Sequence, residues 1–115
     1  MKKGAIQEKS FSFALEIVAA CRLLAETRHE YVLSRQLLKS GTAIGAMVRE
    51  AEEAESKADF IHKMAIALKE ARETGYWLDL LSQSGLIVED SYRKLNAASA
   101  ELLKLLTAIL KSSKG

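Results

Sequence analysis

The chain has 115 residues, 49% of them hydrophobic and 28% charged, which fits one domain with enough apolar material for one core. Seventeen basic residues against fifteen acidic ones leave a net charge of +2, far from the strongly basic balance that would announce a polyanion binder by itself. A single cysteine excludes an intrachain disulfide.

The start, Met1-Lys2-Lys3-Gly4-Ala5, is basic, but no apolar signal core follows it. No apolar run approaches the roughly 20 residues that span a bilayer. These features predict a cytoplasmic protein that does not enter a membrane. Proline is absent and aromatic residues make up 6%, so core volume must come from Leu, Ile, Val and Ala in long helices.

The first helix is predicted from about Ser12 to Thr27, with Ser10 or Ser12 as its cap. Phe13, Ile17, Ala20 and Leu24 recur at helical spacing, and Val18, Cys21 and Ala25 widen the stripe. Cys21 is expected to be a buried, reduced thiol. Arg28-His29-Glu30 marks a turn. The second helix is predicted from Tyr31 to about Glu55, with Leu33, Leu37, Gly41, Ile44, Val48 and Ala51 on one face. Ser56-Lys57-Ala58-Asp59 has the form of a capping box with Asp in place of Glu, which predicts a break and a new helix. That third helix carries Phe60, Met64, Ala67, Ala71, Leu78 and Leu81, and ends at Ser84-Gly85 with Gly85 left-handed.

The fourth helix opens on Glu89 and Asp90, where negative charge is favoured. Tyr92, Leu95, Ser99, Leu102, Leu106 and Ile109 form a bundle seam. Leu103, Leu105 and Leu110 fall outside it, which predicts a second buried face on this helix and hence self-association. The last residues, Lys111 to Gly115, are expected to fray. Short turns between four helices predict an all-α, up-down-up-down four-helix bundle, a single domain over residues 1–115 with an ordered core of about 10–111. Gly41 and Gly45 would each cost roughly 1 kcal/mol in a helix interior, so a close helix approach, or a kink, must offset them.

Several stretches carry a likeness. Phe11-x-Phe13, the run Gln36-Leu37-Leu38-Lys39-Ser40-Gly41-Thr42-Ala43-Ile44-Gly45-Ala46, Glu50-Ala51, Ser56-Lys57-x-x-Phe60, and Ile66-Ala67-Leu68-Lys69-Glu70-Ala71-x-Glu73-Thr74-x-x-Trp77-Leu78 occur in order. The chain thereby resembles, over about residues 10–110, the four-helix-bundle proteins encoded in 23S rRNA intervening sequences. That family also contains the accessory protein of diversity-generating retroelements. The resemblance implies a ring-like homo-oligomer, commonly a pentamer, with no catalysis; no cofactor is expected. In the retroelement branch it implies binding to a reverse transcriptase and to nucleic acid through a basic surface. In the intervening-sequence branch an RNA association is suggested by gene location. The chain departs from the family pattern at Ala43 and Met47, where Ser and Asn are frequent, and at Arg49, where a small residue is usual. It also lacks the strong basicity of the retroelement members.

The candidate chemistry is sparse. A di-iron site in a bundle needs two Glu-x-x-His motifs and two further Glu at one level. Glu26-Thr-Arg-His29 and the looser Asp59-Phe-Ile-His62 lie at helix ends, away from mid-helix Glu50, Glu70 and Glu73, so no metal is expected. Lys69-Glu73 is a local ion-pair candidate. Glu70, Glu73 and Trp77, with Leu103 and Leu110, are read as core or interface residues, with base stacking on Trp77 as the alternative. Arg22, Arg28, Arg35, Lys39 and Arg49 are the nucleic-acid candidates, opposed by the acidic Glu50, Glu52, Glu53 and Glu55. The expectation is a non-catalytic, self-assembling scaffold that contacts RNA or a ribonucleoprotein. The alternatives are a reverse-transcriptase accessory protein and a purely structural docking oligomer.

Overall fold

The computed structural model describes residues 4–114. Four helices follow one another, α1 over Ala5–Arg28, α2 over Val32–Glu52, α3 over Lys57–Gln83 and α4 over Glu89–Lys114. Each packs against its neighbours in sequence, and α4 returns to α1, so the four stand in an antiparallel square. The result is a rod of 44 × 24 × 20 Å, one helix long and two helices wide.

α1 starts seven residues before the expected Ser12, because Ile6 and Ser10 continue the buried face of Phe13, Ile17, Cys21 and Leu24. Neither serine caps it. Gly4 precedes the first turn in extended conformation, and Ser10 is buried, donating its hydroxyl to the Gln7 carbonyl. α4 likewise runs past Lys111 to Lys114, so the helices reach beyond residues 10–111 at both ends; Gly115 lies outside the described residues.

The α1–α2 turn centres on His29, whose left-handed φ of 53° lets the N–H groups of His29 and Glu30 return to the Leu24 carbonyl. The Glu30 carboxylate then accepts from the N–H groups of Leu33 and Ser34, satisfying donors that the first turn of α2 leaves free. α2 ends at Glu52 rather than Glu55: the N–H groups of Glu53 and Ala54 fold back onto the Glu50 and Ala51 carbonyls. Ser56 Oγ accepts from the Asp59 N–H at 3.0 Å, and Asp59 accepts in return from the Glu55 N–H at 3.3 Å. At the other end of α3, Gly85 takes φ 76° and the Leu86 N–H reaches the Leu81 carbonyl.

The core is aliphatic, with Phe13, Ile17, Leu37, Ile44, Met64, Leu78, Leu81, Leu102 and Leu106 among its fully buried members. Leu110 is buried in the chain's own core as well, whereas the expected seam residue Ile109 is only partly covered. Leu103 and Leu105 also pack against the core. The surplus apolar face expected on α4 is therefore mostly consumed within the chain. The core holds one polar pair that apolar periodicity passes over. Thr74 Oγ1 donates to the Glu70 carbonyl at 2.8 Å and lies 3.0 Å from Ser40 Oγ, tying α3 to α2 across the interior.

Gly41 and Gly45 stand where α1 crosses α2. A Cβ on Gly41 would lie 2.8 Å from Ile17 Cγ1, and one on Gly45 would lie 3.3 Å from the Ser10 carbonyl oxygen. The missing side chains let the two helices approach closely, and α2 is one unbroken helix through both positions.

Candidate functional site

Most of the large apolar residues that remain uncovered are on α1, α2 and α3, with Tyr31 and Val88 in the connections between helices. Phe11, Leu15 and Val18 are spaced four and three apart, which places them along one outward stripe of α1. Leu38 and Ala46 do the same on α2, between Tyr31 and Arg49. Both stripes flank the α1/α2 crossing and make a shallow groove along the rod. Leu15 is 59% exposed and Phe11 52%, large values for residues of this size.

Two hollows lie along this groove. The one toward the α1–α2 turn has a volume of about 340 Å³ and is lined by Val18, Cys21, Arg22, Tyr31, Arg35 and Leu38 among others. The larger, about 720 Å³, lies at the opposite end between Phe11 and the end of α2. Its rim carries Glu50, Glu52, Glu53, Glu55 and Asp59, with Arg49 and Lys63 as the basic members. The groove is therefore polar in charge: basic at the turn end, apolar in the middle and acidic at the far end.

The five basic candidates do not form one patch. Arg22 and Arg35 share the turn-end hollow. Arg28 is turned to the α3–α4 connection, where its guanidinium donates to the Gly85 carbonyl at 3.2 Å. Lys39 is exposed one turn along α2 from Arg35. Arg49 lies at the acidic end, its guanidinium carbon 5.6 Å from the centre of the Phe11 ring, a cation–π contact.

The acidic candidates have local uses. Glu73 accepts from Trp77 Nε1 at 3.1 Å, and the ion pairs found among the described residues do not include the expected Lys69–Glu73 pair. Trp77 is half-buried against the core, with Tyr76 edge-on to it at 5.0 Å between centroids. Tyr76 itself is 60% exposed, and Leu80, one turn further, is exposed as well. Together they form an apolar ridge on α3 that sequence periodicity did not single out, because neither residue lies on the helix's buried stripe. Glu70 contributes its backbone carbonyl to Thr74. Across helices, Glu50 receives Lys63 Nζ at 2.9 Å, and that partner holds the lysine pKa above its ordinary value. Asp79 accepts from the Tyr92 hydroxyl at 2.6 Å and raises the phenol's pKa in the same way.

His29 and His62 do not meet. His29 closes the first turn, with Nδ1 3.3 Å from the Tyr31 hydroxyl, and His62 is exposed near the start of α3. Among the described residues no group of three or more His, Cys, Asp and Glu is placed to hold a metal ion. Cys21 donates its thiol to the Ser34 carbonyl at 3.2 Å, and burial pushes its pKa up to about 11. No helix of the described residues is long and apolar enough to cross a membrane.

Comparison with known proteins matches residues 2–108 to a family described as 23S rRNA-intervening sequence protein. A 1.70 Å crystal structure from Bacteroides thetaiotaomicron, of a protein with unknown function from the S23 ribosomal protein family, superposes with a TM-score of 0.92. The two chains are 48% identical, over 93% of this chain and 99% of that one. No curated protein matches.

Proposed function

Since this chain belongs to the 23S rRNA-intervening sequence protein family, we propose that it is a non-catalytic scaffold that assembles with copies of itself and contacts RNA. One observation carries the reading. A bundle that closes its own core still leaves Phe11, Leu15, Val18 and Leu38 uncovered in a row, flanked by arginines. At about 25 cal/mol per Å² of apolar surface, covering such a row is a sizeable driving force for association. Among the described residues no arrangement in the site pairs a nucleophile with a base, and Glu50 and Asp79 bond Lys63 and Tyr92 across helices, as suits a scaffold.

Of the basic side chains at the turn end, Arg28 and Lys39 are the RNA contacts of this reading, and assembly multiplies them. Arg49 is left out, because five carboxylates surround its end of the groove. The test combines light scattering with retention of a structured RNA fragment at rising salt. The reading expects a mass above 12.7 kDa and RNA retention that falls steeply with salt. It also expects retention to be lost in the double variant Arg28→Glu, Lys39→Glu. A mass of one chain refutes the scaffold. Retention that ignores both salt and the double variant refutes the RNA contact and leaves the protein-docking oligomer.

A further inference from the structure

We infer that copies of this chain meet through two different surfaces, the α3 ridge of Tyr76 and Leu80 on one copy seated in the α1/α2 groove of the next. This deepens the proposed self-assembly and rests on it.

The register of the helices sets the two surfaces level. Ser40 Oγ is bonded to Thr74, Gly41 lies against Ile17, and the Cys21 thiol reaches the Ser34 carbonyl. In these antiparallel pairs Leu38 therefore shares its height along the rod with Tyr76 and with Val18. A neighbour standing parallel, moved sideways with no slide along the axis, brings Tyr76 to the Val18–Leu38 hollow and Leu80 to the next turn. The hollow of about 340 Å³ is large enough to take the Tyr76 ring.

The charges of the two surfaces are complementary as well. The hollow is walled by Arg22 and Arg35. On α3, Glu73 and Asp79 stand three residues to either side of Tyr76, and each carboxylate has an oxygen beyond the one bonded to Trp77 or Tyr92. Lys69 and the exposed Arg72, two turns and one turn before Tyr76 on the same stripe, lie toward the end where the groove carries Glu52 and Glu53. The ridge thus runs from basic to acidic where the groove runs from acidic to basic. Groove against groove in the same parallel sense would instead set Arg22 and Arg35 beside their own copies.

A contact between unlike surfaces repeats from copy to copy and closes into a ring when the rotation permits. It also takes Arg22 and Arg35 out of the RNA surface and leaves Arg28 and Lys39 outside.

The test mixes two exposed-site variants, Leu38→Glu, which spoils the groove, and Tyr76→Glu, which spoils the ridge. Val18→Glu serves as a second groove variant, and circular dichroism checks that each folds. Light scattering should give one chain mass for each variant alone. An equimolar mixture should give twice the 12.7 kDa chain mass, because only one sound groove and one sound ridge remain to meet. A mixture that stays at one chain mass, while the unmodified protein assembles, overturns the ridge-in-groove contact and leaves self-assembly standing. Variants that assemble like the unmodified protein overturn it too. An unmodified protein of one chain mass removes both readings together.

Discussion

Replacing Gly41 with alanine sets two effects against each other, and the structure decides between them. Alanine in a helix interior is favoured over glycine by about 1 kcal/mol. At Gly41 the added Cβ would lie 2.8 Å from Ile17 Cγ1, 3.0 Å from Cγ2 and 3.2 Å from Cδ1. Ile17 is fully buried and branched at Cβ, so it cannot swing aside, and forcing a methyl into such a site costs about 1–3 kcal/mol. The net expectation is a loss of about 0–2 kcal/mol. Gly75 is the internal control: its added Cβ would meet nothing within 4 Å, so Gly75→Ala should gain about 1 kcal/mol. Urea unfolding followed by circular dichroism, at one fixed chain concentration, measures both. In an Ile17→Ala background, itself costing about 2–5 kcal/mol, Gly41→Ala should turn stabilising by about 1 kcal/mol. If Gly41→Ala stabilises the intact chain as much as Gly75→Ala does, close packing at the α1/α2 crossing is not why glycine is there.

Three further expectations follow from single contacts. Gly85→Ala places a Cβ at φ 76° and should cost about 1–2 kcal/mol in urea unfolding, although no neighbour obstructs the methyl. Thr74→Val removes the bond to Ser40 in the interior and should cost about 1 kcal/mol, with a smaller effect when Ser40→Ala is already present. The Cys21 pKa is raised by folding from 9.0 to about 11, so the folded state favours the neutral thiol. Its contribution is complete below pH 9 and is lost as pH rises toward 11. The unmodified protein should therefore lose stability over that window faster than Cys21→Ala does, and iodoacetamide at neutral pH should label the thiol only after unfolding.

The helices were legible because one rule wrote most of them. Leu37, Ile44, Val48 and Ala51 on α2, and Leu95, Leu102 and Leu106 on α4, recur at helical spacing, and the Ser56 and Gly85 signals mark their breaks through local chemistry. The start of α1 was hidden because its cap is a glycine without a side-chain bond, and because Ser10, a polar residue, occupies a buried place on the stripe. The same limit concealed Thr74. The surface was harder to read. The apolar spacing sets Leu110 outside the seam in favour of Ile109, yet Leu110 follows Leu106 by four residues and is the one that is buried. Tyr76 and Leu80 resemble nothing in particular until the register of α3 on α2 sets them level with Leu38. The basic residues looked like one patch in sequence, but Arg28 and Arg49 are drawn to opposite ends by Gly85 and Phe11.

The claim beneath this account is that uncovered rows on α1, α2 and α3 are hidden by other copies of the same chain. Light scattering on the unmodified protein, across a wide range of concentration, tests it most directly. A steady mass at a whole multiple of 12.7 kDa greater than one is the predicted result. A mass of 12.7 kDa at every concentration would contradict it.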